Sequence, residues 1–146
     1  KGEKVDWHNE MKALPIGKGR KLHEGRDIAV LSLGPIGNEA IKAIHAVEKE
    51  GFSVAHYDMI FLKPLDEDLL HEVGRNFHRI ITLENGVIKG GLGSAVLEFM
   101  ADNGYTPKVK RIGIPDRFIE HGSVPELFQL CGMDAASIAE VIRHFE

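Results

Sequence analysis

The chain has 146 residues, 43% of them hydrophobic and 27% charged, and a formal net charge of -4 at pH 7. These values are typical of one globular domain that buries its core without disulfides or metal ions. The acidic balance argues against a nucleic-acid partner, because phosphate-binding surfaces require clustered Lys and Arg. Cys131 is the only cysteine, which excludes an internal disulfide and a thiolate metal cluster and suggests a reducing cytoplasm.

The first residues do not resemble a signal peptide, since residues 1–6 are charged and lack an apolar core. No apolar run approaches the about 18 residues that a membrane span requires. The chain starts with Lys1 rather than Met, which suggests a piece of a longer protein. Residues 1–13 are polar and aperiodic, so we predict a linker or arm there and a single domain over residues 14–146.

The first half of the chain alternates apolar runs with a helical pattern. Residues 14–18 are predicted as a short edge strand, since Pro15 cannot donate to a ladder. Residues 27–33 form a nearly continuous apolar run, which is typical of a central parallel strand covered on both faces. A helix is expected over residues 38–50, where apolar residues recur at helical spacing, and a strand over residues 52–58 follows.

The middle of the chain repeats this alternation. Asp66 is predicted to cap a short helix. A strand follows over residues 78–84 and is expected to end at the turn residues 84–86. A helix starts at the glycine-rich residues 90–94, and residues 108–114 suggest a final strand near an edge of the sheet.

Two more helices are expected at the end of the chain. Ser123 and Glu126 have the spacing of a capping box, and Asp134 can cap the last helix. Strands and helices therefore alternate, which predicts an α/β fold with right-handed crossovers. The expected architecture is a three-layer α/β/α sandwich around a mainly parallel sheet.

A glycine-rich loop, Gly90-Gly91-Leu92-Gly93-Ser94, lies between a predicted strand and a predicted helix. Open α/β sheets place ligands at such loops, so a nucleotide or phosphate site has to be considered. The loop does not match the phosphate motifs, since Leu92 stands where a P-loop has Lys and Val96 where a dinucleotide turn has a small residue. Close packing of the helix on the strand explains the glycines as well.

The segment Pro-Asp-Arg-Phe-Ile-Glu-His-Gly, residues 115–122, is the second candidate. Its two carboxylates, arginine and histidine could make an acid/base site, because a carboxylate beside a histidine can shift the pKa of the imidazole into a working range. The alternative is a contact surface, with Phe118 and Ile119 as anchors and Arg117 as part of a hydrogen-bonding rim. This residue mix favours the interface.

The sequence contains no motif for metal-dependent or nucleophilic catalysis. The eight histidines include no pair spaced for a metal ion on a helix, which favours scattered surface positions. Neither Ser32 nor Ser94 occupies a nucleophile elbow. We therefore predict no catalytic, cofactor-binding or metal-binding residue in this chain.

Two segments together resemble a known family. They are residues 83–96, Leu-Glu-Asn-Gly-Val-Ile-Lys-Gly-Gly-Leu-Gly-Ser-Ala-Val, and residues 113–122, Gly-Ile-Pro-Asp-Arg-Phe-Ile-Glu-His-Gly. Both are similar to the C-terminal, third domain of the 1-deoxy-D-xylulose-5-phosphate synthases. The resemblance extends from about Leu14 onward, and the second segment separates this family from its transketolase and 2-oxoacid dehydrogenase relatives.

The resemblance implies a five-stranded sheet of the transketolase C-terminal type, whose first strand, here residues 14–18, is antiparallel to the others. It also implies that the complete enzyme condenses pyruvate with glyceraldehyde 3-phosphate and releases carbon dioxide, using thiamine diphosphate and Mg²⁺. The product of these enzymes feeds isoprenoid, thiamine and pyridoxal synthesis.

In this family the Gly-Asp-Gly metal motif lies in the first domain and the cofactor-activating glutamate in the second, and the phosphate-binding arginines also lie upstream. This sequence has no Gly-Asp-Gly, so Glu84 is not assigned as the activating glutamate. The third domain of these enzymes helps to form the homodimer and packs against the other two. The resemblance thus implies an assembly domain that is inactive alone. Its contact or structural candidates are Glu84, Gly90, Gly91, Gly93, Asp116, Arg117, Phe118 and His121.

Other interpretations stay open at this point. The chain could be an independent α/β protein that binds a nucleotide or phosphate through the Gly90-Ser94 loop. It could also be a partner-binding domain without a catalytic parent, or the C-terminal domain of another transketolase or 2-oxoacid dehydrogenase relative.

Overall fold

The computed structural model describes residues 13–146. The predicted linker lies outside the described residues except for its last residue, so it stays a prediction. The strands are β1 (Arg20–His23), β2 (Ile28–Leu33), β3 (Val54–Asp58), β4 (Arg79–Val87) and β5 (Lys108–Ile114). The helices are α1 (Gly37–Glu48), α2 (Glu67–Asn76), α3 (Leu92–Asp102), α4 (Val124–Leu130) and α5 (Ala135–Arg143). None of these helices has the length and apolar character needed to cross a membrane.

The strands form one sheet in the order β1-β3-β2-β4-β5. β2 pairs in parallel with β3 and β4, and β4 pairs in parallel with β5. The nearly continuous apolar run of β2 therefore lies at the centre of the sheet, as the sequence predicted. β1 is antiparallel to β3. The predicted mainly parallel five-stranded sheet with an antiparallel first strand is confirmed.

Helices cover both faces of the sheet. On one face, Val30 packs with Ile44 of α1 and Ile142 of α5. On the other face, Leu31 packs with Val73 of α2 and with residues of α3. Neighbouring residues of β2 contribute to opposite cores because side chains alternate along a strand. This is the predicted α/β/α sandwich, and burial of these apolar side chains is its main stabilising contribution.

The first strand lies later in the chain than predicted. Residues 14–18 form a turn, in which the Lys18 N–H donates to the Pro15 carbonyl over 3.2 Å. The strand is formed by the charged residues that follow, with Arg20 opposite Asp58 of β3. The Arg20 guanidinium lies 2.9 Å from the Asp58 carboxylate. The prediction was wrong because an exposed edge strand has no apolar pattern to mark it.

Asp66 caps α2 as predicted and also holds the entering chain. Its carboxylate accepts hydrogen bonds from the Leu69 N–H at 3.2 Å, the Gly19 N–H at 2.9 Å and the Lys18 Nζ at 3.3 Å. Burial alone would raise the pKa of Asp66, but these hydrogen bonds together lower it below its ordinary value. One side chain therefore stabilises the start of α2 and the approach to β1.

β4 continues past its predicted end. The sequence predicted a turn at residues 84–86, but the strand extends to Val87, which pairs with Ile114 after a shift of register that begins at Leu83. The turn-forming residues are accommodated by this irregularity, since a bulge lets a strand bend without ending. The side chains of Glu84 and Asn85 consequently point into the protein rather than forming a surface turn.

The last third of the chain follows the prediction closely. β5 covers the predicted residues 108–114 and is an edge strand. Ser123 and Glu126 form the expected capping box of α4, and Asp134 caps α5 by accepting from the Ser137 N–H. The end of the chain is held at the start of the strands, because Arg79 and Lys108 donate to the carbonyls of Phe145 and Glu146.

Candidate functional site at the carboxyl edge of the sheet

The loops that follow β2, β3, β4 and β5 meet at the carboxyl edge of the parallel strands. Between β2 and β4 the strand order reverses, because the chain continues from β2 to β3 on one side and from β4 to β5 on the other. Open α/β sheets bind their ligands at such a switch point. Both segments that the sequence selected lie at this edge.

The start of α3 is occupied by the side chain of Glu84. Its carboxylate accepts hydrogen bonds from the Leu92 N–H at 2.9 Å and the Gly93 N–H at 3.1 Å, and the residue is 3% exposed. A helix N-terminus attracts an anion through its free N–H groups and its dipole. Glu84 supplies that anion from within the chain. A phosphate would have to displace a buried carboxylate, so the geometry does not support a nucleotide or phosphate site here.

The glycines of this loop have two different physical roles. A Cβ at Gly91 would lie 1.8 Å from Oε2 of Glu84, and a Cβ at Gly93 would lie 2.6 Å from Cδ of Arg111. Side chains are therefore excluded at both positions by close approach. Gly90 has open space around it but a φ of 74°, a conformation that favours glycine.

Asn85 fills a second position at the switch point. Its Oδ1 accepts a hydrogen bond from the Ile36 N–H at 2.9 Å, immediately before α1. The N-termini of α1 and α3, which border the switch point, are thus both hydrogen-bonded to side chains of β4. Beside them lies an open depression of about 470 Å³ that Leu33, Leu62 and Val87 help to line.

The second segment, residues 115–122, forms an exposed loop beside the first. Lys89 joins the two, because its Nζ lies 3.0 Å from the Asp116 carboxylate. Arg117, Phe118 and His121 are exposed. Within the described residues no hydrogen bond or ion pair links His121 to a carboxylate of its own loop, so the acid/base alternative lacks the geometry that it needs.

An apolar cavity lies beneath this loop. It has a volume of about 170 Å³, and its lining is almost free of polar atoms. Ile119 turns inward and lines it together with Val124, Leu127 and Phe128. The loop therefore exposes Phe118 to solvent, whereas the next residue, Ile119, borders a cavity.

The sequence prediction missed a buried serine–histidine pair in the sheet. His56 is 0% exposed and Ser32 1%, and the His56 Nε2 lies 2.9 Å from the Ser32 Oγ. Burial lowers the pKa of His56 from 6.5 to about 4, with the charge of Asp58 opposing this shift and that of His23 adding to it. The prediction of scattered surface histidines is therefore wrong for His56.

This pair is not a nucleophilic site, because neither side chain reaches solvent. Among residues 13–146 the Nδ1 of His56 has no hydrogen-bond partner, so no third residue of this part of the chain orients the ring. The signal in the sequence was the position of His56 between the apolar residues Val54, Ala55 and Tyr57. Among residues 13–146, no group of three or more His, Cys, Asp or Glu side chains is arranged to hold a metal ion.

Comparison with known proteins gives the family. The family described as "Transketolase, C-terminal domain" matches residues 17–138. The chain belongs to this family. The sheet order, the antiparallel first strand and the helices on both faces are thus those of a transketolase C-terminal domain.

Curated relatives of this transketolase C-terminal domain carry a more specific name. It is 74% identical over 143 residues to the 1-deoxy-D-xylulose-5-phosphate synthase of Parabacteroides distasonis, a match that covers 98% of this chain and 23% of the relative. It is 63% identical over 141 residues to the synthase of Bacteroides thetaiotaomicron, covering 96% of this chain and 22% of the relative. The resemblance to these synthases is confirmed, and the chain spans less than a quarter of their length.

Two solved structures share the fold. A split-gene transketolase, described as an inactive beta4 tetramer, has a TM-score of 0.81 and 34% identity, and the match covers 89% of this chain and 42% of that one. The transketolase of Campylobacter jejuni has a TM-score of 0.64 over 87% of this chain and 18% of that one. At 17% identity the second likeness shows the fold alone.

Proposed function

We propose that this chain is the C-terminal assembly domain of a 1-deoxy-D-xylulose-5-phosphate synthase. The observation that carries the proposal is the 74% identity along 98% of the chain to one segment of such an enzyme. The complete enzyme would be a cytoplasmic homodimer that condenses pyruvate with glyceraldehyde 3-phosphate and releases carbon dioxide, the entry step of non-mevalonate isoprenoid synthesis. Residues 1–13 would link upstream thiamine-binding domains to a domain over residues 14–146.

The domain would take no direct part in the chemistry. Thiamine diphosphate and Mg²⁺ require an anion site for the diphosphate and oxygen ligands for the metal. The described residues do not fit these groups, because Glu84 occupies the start of α3 and no carboxylate cluster is arranged for a metal. The cofactors would therefore bind upstream domains, and this chain alone would be inactive.

The carboxyl edge of the sheet would be the contact surface. Four large apolar side chains are exposed at the end of β4, in the loops and in the helix beside them: Leu62 by 38%, Val87 by 46%, Phe118 by 105% and Val124 by 63%. Apolar and aromatic side chains grouped in this way are typical of interface cores. Asp116, Arg117 and His121 would form the polar rim, and Glu84 with the glycines Gly90, Gly91 and Gly93 would hold the loops in shape.

A chimeric enzyme tests this proposal. In the Parabacteroides distasonis relative, the corresponding segment is replaced by residues 1–146, and condensation of pyruvate with glyceraldehyde 3-phosphate is measured. We expect activity close to that of the parent enzyme, whereas the chain alone should neither turn over substrate nor bind thiamine diphosphate in calorimetry. A well-folded but inactive chimera would contradict the proposal, and so would a micromolar cofactor site in the chain alone.

A further inference from the structure

A pocket lined by histidines lies where β1 and β3 meet α1. It has a volume of about 210 Å³. Three apolar side chains and three imidazole rings line it: Leu22, His23, Ile41, Ile44, His45 and His56. Ile44 and His56 are buried and form its floor, whereas Leu22, Ile41 and His45 are exposed at its mouth. A cavity of about 150 Å³ is enough to hold benzene, so the pocket accommodates a single small ring.

The hydrogen bonds of Ser32 determine which nitrogen of His56 carries the proton. Ser32 Oγ donates to the Tyr57 carbonyl over 3.4 Å and lies 2.9 Å from His56 Nε2. A hydroxyl has one proton, so Ser32 accepts the second hydrogen bond from the Nε2–H. Burial lowers the pKa of His56 to about 4, which makes the ring neutral at about pH 7. Nδ1 therefore has no proton and is a hydrogen-bond acceptor.

Nδ1 of His56 is a buried acceptor without a donor. Within residues 13–146 no N–H or O–H is bonded to it, and it has almost no contact with solvent. The two nitrogens of an imidazole face in different directions, so Nδ1 is turned away from Ser32 and β2. The opposite side of β3 is bordered by β1, where His23 pairs with His56, and by the pocket. Buried acceptors are normally paired, so a donor that enters the pocket gains a hydrogen bond that the free protein leaves unmade.

The other groups of the pocket determine the charge of its ligand. An anion is disfavoured, because the free group at the floor is an acceptor and offers no proton. A cation would lose its water among the apolar side chains, and the nearby Glu48 carboxylate is already hydrogen-bonded to His23. Among residues 13–146 no group of three or more His, Cys, Asp or Glu side chains is arranged to hold a metal ion. The class that fits is a neutral apolar molecule with one hydroxyl group.

We propose that this pocket binds a small neutral hydroxyl compound with an apolar ring, whose O–H donates to Nδ1 of His56. Apolar walls that surround one well-placed polar group are typical of small-molecule sites. Leu22 and Ile41 are 41% and 37% exposed, so their side chains are free to move aside and let the O–H reach the floor. The proposal goes beyond the assembly role and does not depend on it, since none of these residues belongs to the loops at the carboxyl edge of the sheet.

Phenol and toluene, two rings of almost equal size, test the hydrogen bond. Their dissociation constants are measured by NMR titration of the ¹⁵N-labelled parent chain and of His56→Leu, from the amide shifts of β1, β3 and α1. His56→Leu removes the acceptor and keeps the pocket apolar, so we expect the preference for phenol over toluene to fall about tenfold, the effect of one hydrogen bond. His78→Leu is the matched control, since His78 is exposed, and should keep the preference. An unchanged preference in His56→Leu, or no phenol binding to the parent chain, overturns the proposal.

A change at the mouth of the pocket tests the location without altering the buried histidine. Ile41→Trp covers the mouth with an indole ring and should abolish phenol binding. Leu97→Trp is the matched control, because Leu97 is 40% exposed on α3, which packs on the other face of the sheet, and it should bind phenol like the parent. This pair of variants decides the question even if His56→Leu does not fold. Full phenol affinity in Ile41→Trp would place phenol elsewhere and contradict the proposal.

The position of the proton on His56 is measurable without a ligand. Long-range ¹H–¹⁵N correlation spectra of the imidazole side chains show which nitrogen carries it. We expect the proton on Nε2 in the free chain, and a larger shift of the Nδ1 resonance with phenol than with toluene. A proton on Nδ1 would make the free edge of the ring a donor and would overturn the proposal, as would equal shifts with the two probes.

Discussion

The carboxylate of Glu84 connects strand β4 to the N-terminus of helix α3. It lies in β4 and accepts two N–H groups of α3, and its contact with Gly91 leaves no room for a side chain there. The sequence indicated a special loop at this place but not its occupant. A glutamate next to Asn and Gly is typical of a surface turn, and only the continuation of β4 turns its side chain inward.

Replacing Glu84 should therefore destabilise the fold. In Glu84→Ala, two backbone N–H groups lose their acceptor inside the protein, and we expect a loss of about 2–4 kcal/mol in the free energy of unfolding. Urea denaturation followed by circular dichroism measures it. Glu98→Ala on the exposed face of α3 is the control and should change stability by less than about 0.5 kcal/mol. Equal stability of the Glu84→Ala protein and the parent would show that the carboxylate is dispensable.

His56 should make the stability depend on pH. Its pKa is about 4 in the folded protein and 6.5 when exposed, so the unfolded chain takes up the proton first as the pH falls. Stability should decrease as the pH drops below about 6.5 and level off, for this group, below about 4, with a total loss on the order of 3 kcal/mol.

The comparison of two histidine variants isolates this effect. His56→Gln should lose the pH-dependent component of the unfolding free energy between about pH 7 and pH 4, whereas His78→Gln should keep it because His78 is exposed. Thermal or urea unfolding at a series of pH values gives the comparison. The same pH dependence in the parent and in His56→Gln would rule out His56 as its source.

At the scale of elements, the sequence predicted best those strands and helices that are marked by buried apolar residues or by capping residues. β2 and β5 were placed to within a residue, as were the caps of α2, α4 and α5, because apolar runs and capping residues are local signals. β1 was misplaced, since its four charged or exposed residues carry no such signal. It exists because β3 offers it an edge and because Asp66 holds the chain before it.

Asp66 should thus contribute more than an ordinary helix cap. In Asp66→Ala, α2 loses its cap and the Gly19 N–H loses its acceptor, so we expect a loss of about 2–3 kcal/mol. Asp68→Ala is a matched control, because Asp68 also pairs with Lys18 but is 88% exposed, and it should cost less than about 1 kcal/mol. Chemical denaturation of both variants provides the measurement. Similar losses in the two would mean that the Lys18 ion pair, and not the cap, matters.

At the scale of the whole molecule, the sequence selected two segments that lie at the same edge of the sheet, but it did not predict which side chains fill that edge. Both selected segments lie there, joined by Lys89 and Asp116. The filling of the helix starts by Glu84 and Asn85 was not predictable, because it depends on a register shift between β4 and β5. The exposure of Phe118 beside a cavity was equally invisible, since a sequence pattern does not distinguish Phe118, which faces solvent, from Ile119, which lines the cavity.

The antiparallel β1 places the two ends of the described chain far apart. Arg20 begins β1 opposite the last residue of β3, whereas Glu146 is held by the first residue of β5. A strand of this sheet is about 20 Å long. A biotin or fluorescent dye on residue 146 is therefore separated by the length of a strand from the loops at the carboxyl edge of the sheet. Immobilisation through that end leaves the loop side facing solution, which makes it the natural anchoring point for a sensor surface.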